Sequence, residues 1–173
     1  MKRLLEYSLK LKHLERTGWT RKNIKNPETV ASHSYQMALM ALYLSKDYSN
    51  EYDFNKVIKL CLCHDLAESI IGDITPTDEL YKNKKDIEIQ AMKKLSLECD
   101  FTELYELFLE YEDKSSKEAC LANDLDKLDM YVQSIDYETK NLSLDLSEFR
   151  QSAINSIKTK LGKELLIYFS KQK

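Results

Sequence analysis

Three glycines and two prolines in 173 residues leave little material for the tight turns of a β-protein. Hairpins and short turns draw heavily on residues that reach positive φ or preset a bend. The chain therefore reads as all-α, a single-domain helical bundle over residues 1–173. Its length suits one domain with a substantial core. Hydrophobic residues at 43% and charged residues at 32% fit a globular chain rather than a disordered one.

Apolar spacing places the helices. Leu4, Leu5, Leu9, Leu11 and Leu14 predict an opening helix that stops near Gly18, and the segment from Arg16 to Glu28 reads as a surface loop. A second helix is expected from about Ser32. Its apolar residues Tyr35, Met37, Ala38, Met40, Ala41, Leu42 and Leu44 lie almost all round, which predicts deep burial. A third, capped by Asp53 or Asn55, carries Val57, Ile58, Leu60 and Cys61 and runs on to Gly72. There Gly72-Asp73-Ile74-Thr75-Pro76 makes a sharp break, because proline disfavours helix at the residue before it. Further helices are expected over about 84–98, 101–111 and 116–136, and a last one through Ile154, Ile157, Leu161, Leu165 and Leu166.

Several function classes are excluded by what the chain lacks. The net charge is −3, with no basic stripe, so a nucleic-acid polymer is not the expected partner. No apolar run approaches the roughly 18–20 residues that span a bilayer. The N-terminal Met1-Lys-Arg-Leu-Leu-Glu lacks the apolar stretch and cleavage site of a secretion signal. Of the four cysteines, Cys61 and Cys63 point to different helix faces and read as small core residues rather than zinc ligands. A reducing cytoplasm is the default compartment.

The chemistry concentrates in Leu60-Cys-Leu-Cys-His-Asp-Leu-Ala-Glu68. His64 and Asp65 stand where a helix would bury leucine, and neighbours project about 100° apart, so both can reach one ion beside the helix. Glu68, four residues past His64 and three past Asp65, shares their face. Only three histidines occur in the chain, which makes this placement informative. His33 at the start of an apolar helix, Asp126 beside a core stripe and Asp73 in the turn after Gly72 are also out of place. Taken singly they read as a cap, a surface acid and a turn residue. Asp124 and Asp129 read as surface acids, and His13 as a surface residue of the first helix. Taken together, two imidazoles and two carboxylates would attract a divalent cation, since a buried carboxylate is costly unless paired or metal-bound.

The ordered set His33, His64-Asp65 and Asp126 resembles the HD superfamily of metal-dependent phosphohydrolases. The surrounding blocks are more specific: Arg16-Thr-Gly-Trp19, Pro27-Glu-Thr-Val-Ala-Ser-His33-Ser, His64-Asp-Leu-Ala-Glu68, Gly72-Asp-Ile-Thr-Pro76 and Leu125-Asp-Lys-Leu-Asp-Met130. These look like the YfbR-like 5′-deoxynucleotidases and the HD domain-containing protein 2 group, over roughly residues 10–140. The resemblance implies an HD-type helical domain with a central metal site and its signature over about residues 30–130. It implies hydrolysis of deoxyribonucleoside 5′-monophosphates to deoxynucleoside and phosphate. It assigns the metal to His33, His64, Asp65 and Asp126, and catalysis to Glu68 and Asp73. Substrate binding falls to Arg16, Trp19, Asp73, Thr75 and Pro76. Arg21 or Lys22 are alternatives to Arg16, because Thr17 and Gly18 separate Arg16 from Trp19 where some relatives have the pair adjacent. Asn123 stands where the family pattern carries a lysine.

The resemblance implies a divalent metal such as cobalt or manganese, with zinc, nickel, iron or magnesium as further options, and two imidazoles with two carboxylates suit borderline transition metals better than magnesium. A small nucleotide is the expected partner, and the expected assembly is a homodimer. Two other readings stand beside this one. One is an HD hydrolase acting on a cyclic nucleotide, a nucleoside triphosphate or an alarmone. The other is a metal-binding module without catalysis, against which the presence of Glu68 and Asp73 argues.

Overall fold

The computed structural model describes residues 1–171, which form ten α-helices and one 3-10 turn. The helices are α1 Lys2–Leu11, α2 Thr17–Thr20, α3 Val30–Tyr48, α4 Phe54–Cys63, α5 Glu68–Ile71, α6 Lys84–Glu98, α7 Glu103–Asp113, α8 Lys117–Lys140, α9 Ser147–Ser156 and α10 Lys160–Ser170. Among the described residues there is no strand, and one isolated antiparallel bridge joins Glu15 to Thr29. The all-α expectation holds. No helix among them is long and apolar enough to cross a membrane.

The chain resolves into two compact units. Met1–Tyr35 with Leu62–Asp113 makes the first, and residues 36–61 with the chain from 114 onward make the second. In the first, α5 packs on α1 and α6, and α6 on α7. The inward residues recur at helical spacing: Ala91, Met92 and Leu95 on α6, and Leu104, Leu107, Phe108 and Tyr111 on α7. Removing an aliphatic or aromatic side chain of this kind from water stabilises by about 1.5–3 kcal/mol. In the second unit α8 is the central element, with α9 and α10 against it. Ser116 caps α8, its Oγ accepting from the Ala119 amide at 3.0 Å.

Several boundaries differ from those read in the sequence. The first helix ends at Leu11, and the loop after it contains a helical turn, α2, built around Trp19. Asn23 and Asn26 take left-handed φ of 57° and 51° in that loop, a conformation asparagine tolerates better than most residues. The second helix is not buried all round. Met37, Ala41 and Leu44 are buried, whereas Tyr35, Leu39, Leu42 and Tyr43 are exposed. An apolar composition did not distinguish the two faces. Cys61 and Cys63 are buried, as expected of core residues.

The expected final helix is two. The chain leaves α9 through Ile157 in extended conformation and re-enters at Thr159, the cap of α10. Asp124, expected at the surface, is 2% exposed and explains the break. Its carboxylate accepts from the Lys158 amide at 3.0 Å and the Thr159 amide at 2.7 Å, satisfying donors that a helix start leaves over. Gly162 is required opposite it, since a Cβ there would lie 2.5 Å from Asp124 Oδ2. Asp129, also expected outside, is fully buried on the same helix. Replacing Asp124 by Ala leaves two backbone donors without their acceptor. The expected loss is about 2–3 kcal/mol of unfolding free energy, measured by urea denaturation.

Candidate metal and phosphate site

The site in the first unit is assembled by three local devices. The bridge at Glu15 and Thr29 closes the loop after α1, with Arg16 N–H donating to Glu28 O at 3.0 Å and Val30 N–H to Leu14 O at 2.9 Å. Trp19, 2% exposed, anchors the loop and donates from Nε1 to Glu28 Oε1 at 2.7 Å. Its ring faces protein rather than solvent. Thr29 and Ser32 then cap α3 reciprocally, the Thr29 amide on Ser32 Oγ and the Ser32 amide on Thr29 Oγ1. His33 follows within the first turn of α3, fully buried.

The His-Asp pair does not lie on a continuous helix. The helix ends at Cys63, and His64 to Ala67 form a tight turn before α5 begins at Glu68. Amides of Leu66, Glu68 and Ser69 bond carbonyls three residues back, which tightens the backbone relative to an α-turn. The sequence pattern was apolar on both sides of this turn and gave no stop signal. The expected break at Gly72 is present, with φ at 81°, a value glycine adopts without penalty.

Asp65 is where the groups meet. Its Oδ2 lies 3.0 Å from Arg16 Nη1, 3.0 Å from His64 Nε2 and 3.9 Å from His33 Nε2. The two imidazole rings are 5.4 Å apart, and each offers a ligand nitrogen within 4.8 Å of the other. Donor atoms bound at about 2.0–2.2 Å to one ion sit roughly 3–4 Å from each other, so this set fits a divalent metal. Burial pushes the Asp65 carboxyl up, but His64, Arg16 and His33 outweigh it and hold the group well below the usual range.

Glu68 is 3% exposed, and its Oε2 has no hydrogen-bond partner among the described residues. Burial, with Asp65 and Asp73 nearby, pushes its carboxyl well above the usual range against the pull of Arg16 and Lys84. Asp73 is fixed by Thr17, whose amide donates to Asp73 Oδ2 at 2.7 Å and whose hydroxyl donates to Asp73 O at 2.8 Å. The structure thus brings Arg16, His33, His64, Asp65, Glu68 and Asp73 into one neighbourhood.

Thr75 gives both its amide and its hydroxyl to Asp78 Oδ2, and Pro76 is exposed. Arg21 is engaged by Asp78 at 2.6 Å. Asp126 belongs to the second unit, where it is 7% exposed on α8 and accepts from Lys127 Nζ at 2.8 Å.

Three residues escaped the sequence reading. Tyr111 places its ring 4.9 Å from that of His64. Lys84 and Glu88, at the start of α6, form a pair at 3.4 Å. A lysine four residues before a glutamate looks like any solvated helix pair, and only the packing of α5 on α6 shows otherwise. Glu88 is 7% exposed, and burial, opposed by Lys84 and assisted by Glu112 and Asp65, raises its pKa from 4.5 to about 7.

Comparison with known proteins places this arrangement in a class. An HD domain profile matches residues 9–165. A relative from Dictyostelium discoideum, 5′-deoxynucleotidase HDDC2, is 38% identical over 161 residues, covering 87% of this chain and 84% of its own. The Mus musculus protein of the same name is 42% identical over 140 residues, covering 79% and 69%. The crystal structure of the PH0347 protein from Pyrococcus horikoshii superposes with a TM-score of 0.85 at 33% identity, covering 99% and 97%. The chain belongs to the HD domain family.

The native state keeps a proton on Glu88 in the window from 4.5 to about 7, whereas the unfolded chain releases it. Stability is therefore fullest at the acid end of that window, falls as pH rises through it, and levels off above. The expected span is on the order of 3 kcal/mol, and Glu88→Gln removes this component. Chemical denaturation of both proteins at pH 5 and pH 8 checks it.

Proposed function

We infer that this protein is a metal-dependent 5′-deoxynucleotidase, hydrolysing deoxyribonucleoside 5′-monophosphates to deoxynucleoside and phosphate. The observation that carries the reading is the convergence of His33, His64 and Arg16 on Asp65. A metal-ligand set beside a guanidinium suits a phosphate group. Relatives named 5′-deoxynucleotidase, at 38% and 42% identity, support the substrate.

His33, His64 and Asp65 would hold the ion, with Asp126 as a fourth ligand on the resemblance of Leu125-Asp-Lys-Leu-Asp-Met130 to the family pattern. A divalent ion held there would supply Lewis-acid polarisation of a phosphoryl oxygen. Arg16 orients the phosphate. Hydrolysis forms a bond from a water oxygen to phosphorus and breaks the bond from phosphorus to the 5′ oxygen. The water proton passes to one carboxylate, and the departing oxygen takes a proton from the other carboxyl group. Glu68, pushed toward its protonated form, suits the donor, and Asp73, oriented by Thr17, the acceptor. Trp19 is assigned to the sugar or base by family resemblance, and Thr75 and Pro76 to the substrate loop after Asp73.

The finer parts of the reading are a cobalt or manganese ion, a homodimer and a cytoplasmic location. They rest on the ligand types, on the exposed Tyr35 and Tyr43 with the apolar α10, and on a deoxynucleotide substrate. The family match runs through both compact units, which favours a single HD domain. Residues 172 and 173 of that assignment lie outside the described residues.

The expected result is phosphate release from deoxynucleoside monophosphates with cobalt or manganese, faster than from ribonucleotides or cyclic nucleotides. Glu68→Ala should lower turnover by roughly a hundredfold or more with metal content by elemental analysis unchanged, whereas His64→Ala should lose the metal. Equal rates on ribonucleotides would remove the sugar preference, and full activity in Glu68→Ala would remove its role.

A further inference from the structure

We propose that Lys84 is a second phosphate-binding cation of this site, contacting the substrate phosphate together with Arg16. The proposal rests on the phosphomonoesterase reading above and adds a residue to it.

The argument begins with charge. Asp65, Glu68 and Asp73 share one neighbourhood, and a phosphate dianion entering it meets repulsion unless cations outnumber what the protein's own acids consume. Arg16 is already engaged, its Nη1 lying 3.0 Å from Asp65 Oδ2. Lys84 opens α6, which packs on α5, the helix that begins at Glu68. Its side chain is 29% exposed, and Asp65, Glu68 and Asp73 all act on its charge.

The contact holding Lys84 is loose. Glu88 Oε1 lies 3.4 Å away, longer than the roughly 2.7–2.9 Å of a strong charge-assisted bond. Burial disfavours the ammonium, yet Glu88, Asp65, Glu68 and Asp73 keep it charged and raise its pKa. A lysine that is charged, partly solvent-accessible and weakly held differs from a structural ion pair. An ammonium on a flexible stem suits a phosphate as a point charge, while the guanidinium of Arg16 fixes its orientation.

The test separates this proposal from the reading beneath it. Wild-type protein loaded with manganese is treated with an amine-acylating reagent, with and without inorganic phosphate, and acylation of Lys84 is read by mass spectrometry. Phosphate should protect Lys84 while leaving Lys2 and Lys171 unprotected. This outcome is independent of turnover, so a protein that hydrolysed no deoxynucleotide would defeat the function and still report on Lys84.

In the active enzyme, Lys84→Met should raise KM for a deoxynucleoside monophosphate and the inhibition constant of inorganic phosphate together. The factor expected for losing a charge-assisted contact is roughly ten to a hundred. Lys84→Arg should recover most of it, with metal content unchanged in both. Unchanged phosphate inhibition in folded Lys84→Met overturns the proposal, as does a fall in kcat alone. Absence of phosphate protection in the wild type overturns it even if Lys84→Met fails to fold.

Discussion

A carboxylate withdrawn from water has to be compensated, and Asp65 is compensated from three directions. Arg16 comes from the loop after α1, His33 from the first turn of α3 and His64 from the turn that precedes α5. No single element supplies enough charge alone. The devices that look incidental along the chain serve this meeting: the Glu15–Thr29 bridge and the buried indole of Trp19 fix the loop of Arg16, and the Thr29–Ser32 cap starts the helix of His33. The same attraction that lets Asp65 stay ionised leaves Glu68 as the group that resists ionisation. Two acids three residues apart acquire opposite tendencies because one is surrounded by cations and the other by burial and like charge.

Much of the fold could be read from the sequence because helical periodicity is strong where one face is buried. The helices carrying Ala91, Met92 and Leu95, and Leu104, Leu107 and Phe108, follow that spacing. The reading failed where apolar residues continue through a backbone change. At His64 the pattern runs unbroken across a turn made by amides reaching back three residues, and at Ile157 it runs unbroken across the gap between α9 and α10. In both places tertiary hydrogen bonding or packing decides, and a one-dimensional pattern holds no record of it. Asp124 illustrates the point: an acid between Asn123 and Leu125 looked like surface and proved to be the acceptor for two amides over thirty residues away.

The candidate site shows the same division. His33, His64, Asp65, Glu68 and Asp73 were legible because their residue types are rare or costly in the settings where they occur. Lys84 and Glu88 were not, since charged residues spaced by four are commonplace on helices. Their significance comes from α6 lying against α5, a relation between segments that no local pattern encodes.

The tight turn at His64 has a consequence for how this segment can vary in length. Backbone bonds spanning three residues tie Cys63, Asp65 and Leu66 to Leu66, Glu68 and Ser69, so His64, Asp65 and Glu68 share one hydrogen-bonded turn. An inserted or deleted residue between Cys63 and Glu68 would rotate all three functional groups at once. Length polymorphism in descendants of this chain should therefore be absent from this segment.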